Sequence, residues 1–91
     1  MVRSNLSQRL RHGRRKIDLI DQKLLSLLNQ RLRIALEIGR IKEHIGEKTY
    51  DPKREKNILG RLSLRNRGPL NEDDLKKTFA TIIKVCRKSQ K

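Results

Sequence analysis

IDLIDQKLLSLLNQRLRIALEIGRIKEHI, residues 17–45, is the stretch that decides the fold. Taken as one helix at about 100° per residue, it gathers its aliphatic side chains on one side. The arc within roughly 60° of Arg31 holds Ile17, Ile20, Leu24, Leu27, Leu28, Ile34, Ala35, Ile38 and Ile45. Arg31 and Lys42 alone break that stripe, and they project only about 20° apart. Long cations can snorkel out of an apolar seam. Two on one line inside a core more often await an anion, because a buried charge needs a partner.

Outward from this stretch, the helix extends from about Ser7 to Ile45 and stops at Gly46. At 1.5 Å per residue it would be roughly 55 Å long. A compact globule of this chain length has a radius of gyration near 12 Å, hence a diameter of roughly 30 Å. Such a helix cannot be covered by its own chain. It carries a second apolar line, Leu25, Leu32 and Leu36, about 100–140° around from Arg31. Two apolar faces on an overlong helix call for a partner, most simply a second copy.

Residues 47–50 read as a polar loop. Asp51-Pro52 reads as an N-cap and first helical position, opening a second helix to about Asn66. Its inward line is Ile58, Leu59 and Leu62, with Glu55 inside the arc and Arg54 on the flank. Gly68-Pro69 stops it. Asn71 caps a third helix whose Glu72, Asp73 and Asp74 suit the positive end of the dipole. That helix places Leu75, Phe79, Ile82, Ile83, Cys86 and Gln90 on one face. No strand pattern, glycine-rich phosphate loop or internal repeat is present. The expected class is all-α: one domain over residues 1–91, a three-helix chain, with residues 1–6 as a flexible N-terminus.

With 91 residues, one Tyr, one Phe and no Trp, the core must be built from Leu and Ile. A single Cys86 excludes an internal disulfide and fits a reducing compartment. No apolar run approaches a membrane span. The basic N-terminal stretch, Arg3 to Lys16, lacks the apolar core of a secretory signal. A cytoplasmic protein is expected. The formal charge of +14 attracts polyanions non-specifically. Stacking aromatics, zinc-finger spacing and a helix-turn-helix are all missing, so no specific nucleic-acid partner is expected.

The inward polar groups are therefore Arg31, Lys42, Glu55 and Gln90, with the weakly polar Cys86, while Asp51 and Arg54 stand at the mouth of the second helix. Arg14 lies about 100° from Arg31, on the side of the second apolar line, and points toward the second copy. Joined in one site, Arg14 of the other subunit, Arg31, Lys42 and Arg54 face Asp51 and Glu55. Four cations against two carboxylates leave roughly +2, which suits a small dicarboxylate. His12 and His44 lie off the seam, and no pair of His is at metal-ligand spacing, so neither metal nor cofactor is expected. Cys86 reads as a small core residue rather than a nucleophile. Fixed donors without a nucleophile suit a reaction that needs restraint and charge stabilisation.

Five segments carry a further reading. They are Arg14-x-x-Ile-Asp-x-Ile-Asp-x-x-Leu-Leu-x-Leu-Leu-x-x-Arg31, Ile38-Gly39-x-x-Lys42, Tyr50-Asp51-Pro52-x-Arg54-Glu55, Gly68-Pro69-Leu70 and Phe79-x-x-Ile-Ile-x-x-Cys-Arg-x-x-Gln90. In this order the chain resembles the all-helical (AroQ) class of chorismate mutase over almost its full length. The resemblance implies an intertwined homodimer of three-helix chains and the Claisen rearrangement of chorismate to prephenate, on the path to Phe and Tyr. It implies that Arg14 of the other subunit and Arg31 hold the substrate carboxylates, assisted by Arg54. Lys42 and Gln90 would donate to the ether oxygen, and Glu55 would accept from the ring hydroxyl with Asp51 nearby. Cys86 stands where the family commonly has Ser, and a thiol is the poorer donor. Gln90 lies beside the C-terminal residue, where helices fray.

Two other readings compete. Isochorismate-pyruvate lyase uses similar cations on the same scaffold, although Asp51, Glu55 and the Gly-Pro-Leu turn look more like the mutase. A basic helical dimer that binds nucleic acid ranks last, since chance should not set Lys42, Glu55 and Gln90 on three inward arcs. No regulatory or dehydratase domain is expected beside this one.

Overall fold

The computed structural model describes residues 2–90, with side chains from Asn5 onward. Three helices follow one another: α1, Val2–Ile45; α2, Pro52–Arg65; and α3, Glu72–Ser89. There is no strand among the described residues. The chain divides into two units between Gln30 and Arg31, so that α1 contributes to both.

In the first unit α1 is a single helix. It begins at Val2 rather than at about Ser7. Of the expected flexible segment 1–6, Met1 and the side chains of residues 2–4 lie outside the described residues. The apolar side chains of both expected lines stand open here. Ile17, Leu24, Leu25 and Leu27 are each more than half exposed. His12 and Arg14 are exposed as well.

The second unit, from Arg31 onward, holds the interior. Gly46 ends α1 with φ +75°, a conformation that favours glycine. The Glu47 N–H donates to the Lys42 carbonyl at 2.9 Å, closing the helix in the manner of a Schellman cap. Asp51 caps α2 as expected: its Oδ1 accepts from the Arg54 N–H at 3.0 Å, with Pro52 opening the helix. At the far end, Asn66 and Gly68 (φ +73°) turn the chain, Asn66 Oδ1 accepting from the Gly68 N–H at 2.9 Å. Asn71 then caps α3 by accepting from the Asp74 N–H at 2.9 Å.

α2 and α3 pack on each other. The buried side chains are Ala35 of α1 and Leu75, Ile83 and Cys86 of α3. Phe79 and Ile82 are half-buried, as are Ile58, Leu59 and Leu62 of α2. The face of α3 is therefore the one its periodicity predicts. On α1 the buried ridge is shifted: Gly39 is buried while Ile34 and Ile38 remain largely exposed. The cause is Gln90. A methyl group on Gly39 would meet Gln90 Cβ at 3.0 Å and Cα at 3.2 Å, so the end of α3 approaches α1 where α1 has no side chain.

Candidate active site

Within the second unit the three helices line an open cavity of about 330 Å³. α1 contributes Arg31, Ala35 and Lys42 to its wall; α2 and its cap contribute Asp51, Arg54 and Glu55; α3 contributes Cys86, Arg87 and Gln90. All the expected site residues of this unit are thus on one wall. The exception is Arg14, which belongs to the first unit.

Each polar group is held differently. Lys42 is half-buried and its Nζ donates to the Thr49 carbonyl at 3.1 Å. An ammonium has three N–H donors, so this bond orients Lys42 and leaves two. Gln90 Nε2 donates to the Ala35 carbonyl at 2.9 Å. An amide NH₂ carries two hydrogens, so one remains for a ligand. Although Gln90 is the C-cap residue, its N–H donates to the Arg87 carbonyl at 3.1 Å and its side chain is anchored to α1. Both contacts oppose fraying. Arg31 is half-buried, and the guanidinium groups of Arg31 and Arg54 have no hydrogen-bond or ion-pair partner among the described residues.

Glu55 is not free. Arg87 Nη1 donates to its Oε2 at 2.7 Å and to its Oε1 at 2.9 Å. The Arg87 guanidinium carbon also lies 4.5 Å from the centroid of the Tyr50 ring. Hydrogen bonds to charged groups contribute about 1.5–3 kcal/mol, and a cation over an aromatic face adds roughly 0.5–2 kcal/mol. Loop, α2 and α3 are joined at this point. Sequence reasoning missed Arg87, Thr49 and Tyr50. Arg87 stands about 90° from the centre of the apolar face of α3 at 100° per residue, on a flank that reads as solvated. Its one legible signal is an inward carboxylate on α2 that needs a counter-charge.

Four cations, Arg31, Lys42, Arg54 and Arg87, face the carboxylates Asp51 and Glu55, leaving two positive charges in excess. The wall between them is aliphatic, from Ile34, Ile38, Ile58 and Ile83. Cys86 is buried and its thiol is free. Among the described residues no three His, Cys, Asp or Glu side chains are grouped so as to hold a metal ion. The arrangement can bind a small dianion, exclude part of its water and present N–H donors to an oxygen that gains charge.

Residues 13–91 match the family model of type II chorismate mutase. This chain belongs to that family. Several solved chorismate mutases share its fold. The form II structure from Thermus thermophilus is 34% identical, with a TM-score of 0.89 over 90% of this chain and 93% of that one. The Helicobacter pylori chorismate mutase in complex with prephenate is 42% identical, with a TM-score of 0.82 over 89% of this chain and 88% of that one. The bifunctional chorismate mutase/prephenate dehydratase of Pseudomonas aeruginosa is 35% identical over 78 residues, 80% of this chain. The chain spans only 21% of that relative's length. The family resemblance read from the five segments is thereby established at the level of sequence and of fold, and the fold is all-α as expected. No described helix is long and apolar enough to cross a membrane.

Proposed function

We propose that this chain is a chorismate mutase that converts chorismate to prephenate by an intramolecular Claisen rearrangement. The observation that carries the reading is the convergence of Arg31, Lys42, Glu55 and Gln90 from three helices on one cavity with an excess of two positive charges. In the reaction the ether carbon–oxygen bond breaks while a carbon–carbon bond forms within the same molecule. No proton, electron or water enters or leaves. The protein need only hold the compact conformer and favour charge that develops at the ether oxygen.

The groups fit those tasks. Arg31 and Arg54 have open guanidinium forks, which match carboxylates in bidentate fashion. Lys42 and Gln90 are each anchored by one bond and keep further donors for the ether oxygen. Such donors are prepaid in orientation and act most strongly where water is scarce. Glu55 has acceptor capacity for a ring hydroxyl, with Asp51 beside it. Cys86 contributes shape more than hydrogen bonding.

The reading includes a homodimer in which Arg14 of a second copy completes the carboxylate site. The exposed aliphatic lines of α1 support it, since a helix left this apolar in water needs cover. It includes one chorismate mutase-like domain over residues 1–91, in the cytoplasm, with no specific nucleic-acid partner. A homologous chorismate mutase was crystallised with prephenate, which supports the same ligand here.

Product analysis tests the proposal. Chorismate incubated with the chain is expected to yield prephenate in equal amount. Pyruvate and salicylate from isochorismate, without prephenate from chorismate, would identify a lyase instead.

A further inference from the structure

One cation on the cavity wall differs from the rest. Arg31 and Arg54 carry open guanidinium groups, whereas Arg87 Nη1 is committed to both oxygens of Glu55, at 2.7 and 2.9 Å. The two side chains are 27% and 24% exposed, so solvent screens the pair incompletely. Stacking of Arg87 on Tyr50, 4.5 Å from the ring centroid, holds the guanidinium from a third element.

A cavity built to hold a dianion has no obvious place for a carboxylate. Left alone, Glu55 would repel the ligand. Yet a hydroxyl on that ligand needs an acceptor. Arg87 resolves the conflict: it cancels the charge of Glu55, and each carboxylate oxygen has two lone-pair positions, so one stays open on each.

We propose that Arg87 is a positioning residue that acts through Glu55. By neutralising and orienting that carboxylate it allows a hydrogen-bond acceptor to stand in an anion-binding cavity, and so selects dicarboxylates that also bear a hydroxyl. The inference rests on the mutase reading above. The competing view is a plain tether between α2 and α3, which would affect stability alone.

A double-mutant cycle separates the two, using Arg87→Met, Glu55→Gln and the double variant. The measurements are kcat and KM for chorismate, the Kd of prephenate by calorimetry, and the thermal midpoint of each protein. Arg87→Met is expected to raise KM and the prephenate Kd by about tenfold or more, with a smaller change in kcat. In the Glu55→Gln background the same change should shift Kd by less than about threefold, because no charge is left to cancel. Arg87→Lys should recover part of the affinity, and it carries the cycle should the Met variant fail to fold. Equal factors in both backgrounds, or an unmoved Kd beside a lowered midpoint, overturn the inference and leave a tether. An unmodified chain that does not turn over chorismate overturns the mutase reading and this inference together. Normal turnover with independent factors overturns this inference alone.

Discussion

Lys42 spends one N–H on the Thr49 carbonyl and keeps two, which makes it an oriented donor rather than a solvated charge. Lys42→Ala should lower kcat/KM by about 10²–10³, the usual loss on removing one donor to a developing oxyanion. Arg31→Ala should lower it steeply as well, by removing a fork that holds a substrate carboxylate. Far-ultraviolet circular dichroism should stay helical, since neither residue belongs to the buried core. Gly39→Ala sets two effects against each other. Alanine gains about 1 kcal/mol of helix propensity, but its methyl would stand 3.0 Å from Gln90 Cβ and 3.2 Å from its Cα. Gln90 must move, and kcat should fall by roughly tenfold or more, as misplacement of a reacting group costs rate steeply. An unchanged kcat in a folded Gly39→Ala protein would show that the end of α3 gives way by a few tenths of an ångström without displacing the Gln90 amide. The inward cations and Gln90 were legible because helical period alone sets their direction. Arg87 was not, since its role depends on which flank of α3 meets Glu55. The shifted ridge of α1 was hidden for a related reason: an apolar arc counts Ile34, while the close approach of Gln90 favours Ala35 and Gly39.

The helices differ in how their ends are fixed, and that difference governs what could be read in advance. The caps Asp51 and Asn71 act on an N–H three residues ahead, so local sequence suffices to place them. The first turn of α1 holds no acidic residue to mark where the helix opens, which is why its beginning at Val2 escaped. Asp51 also has a second position to fill, on the cavity wall. The two roles separate by substitution. Asp51→Ala should cost about 1 kcal/mol of stability by loss of the cap. Asp51→Asn should keep the cap within a few tenths of a kcal/mol, because asparagine caps about as well. A thermal or urea melt reads the first effect, and prephenate affinity of the Asn variant reads the charge at the cavity. Equal stability of the Ala and native proteins would show that the cap is replaced by solvent.

At the scale of the molecule, the proposed second copy would cover the exposed aliphatic side chains of α1. Sedimentation should therefore give twice the chain mass of 10.7 kDa. The expectation of a partner comes from the length and double amphipathicity of α1, and that of Arg14 as the crossing residue from its helical angle. Arg14→Ala and Arg31→Ala chains each lack one carboxylate ligand, and each should be nearly inactive alone. In a mixed dimer, one site joins an intact Arg31 to an intact Arg14 of its partner. Turnover of chorismate by the re-equilibrated mixture is thus the most direct measurement of the claim that two copies build the site that makes prephenate. The expected rate is roughly a quarter of that of the unmodified protein, since half the dimers are mixed and one of their two sites is whole. A mixture no faster than its separate components, beside an active unmodified protein, would contradict it.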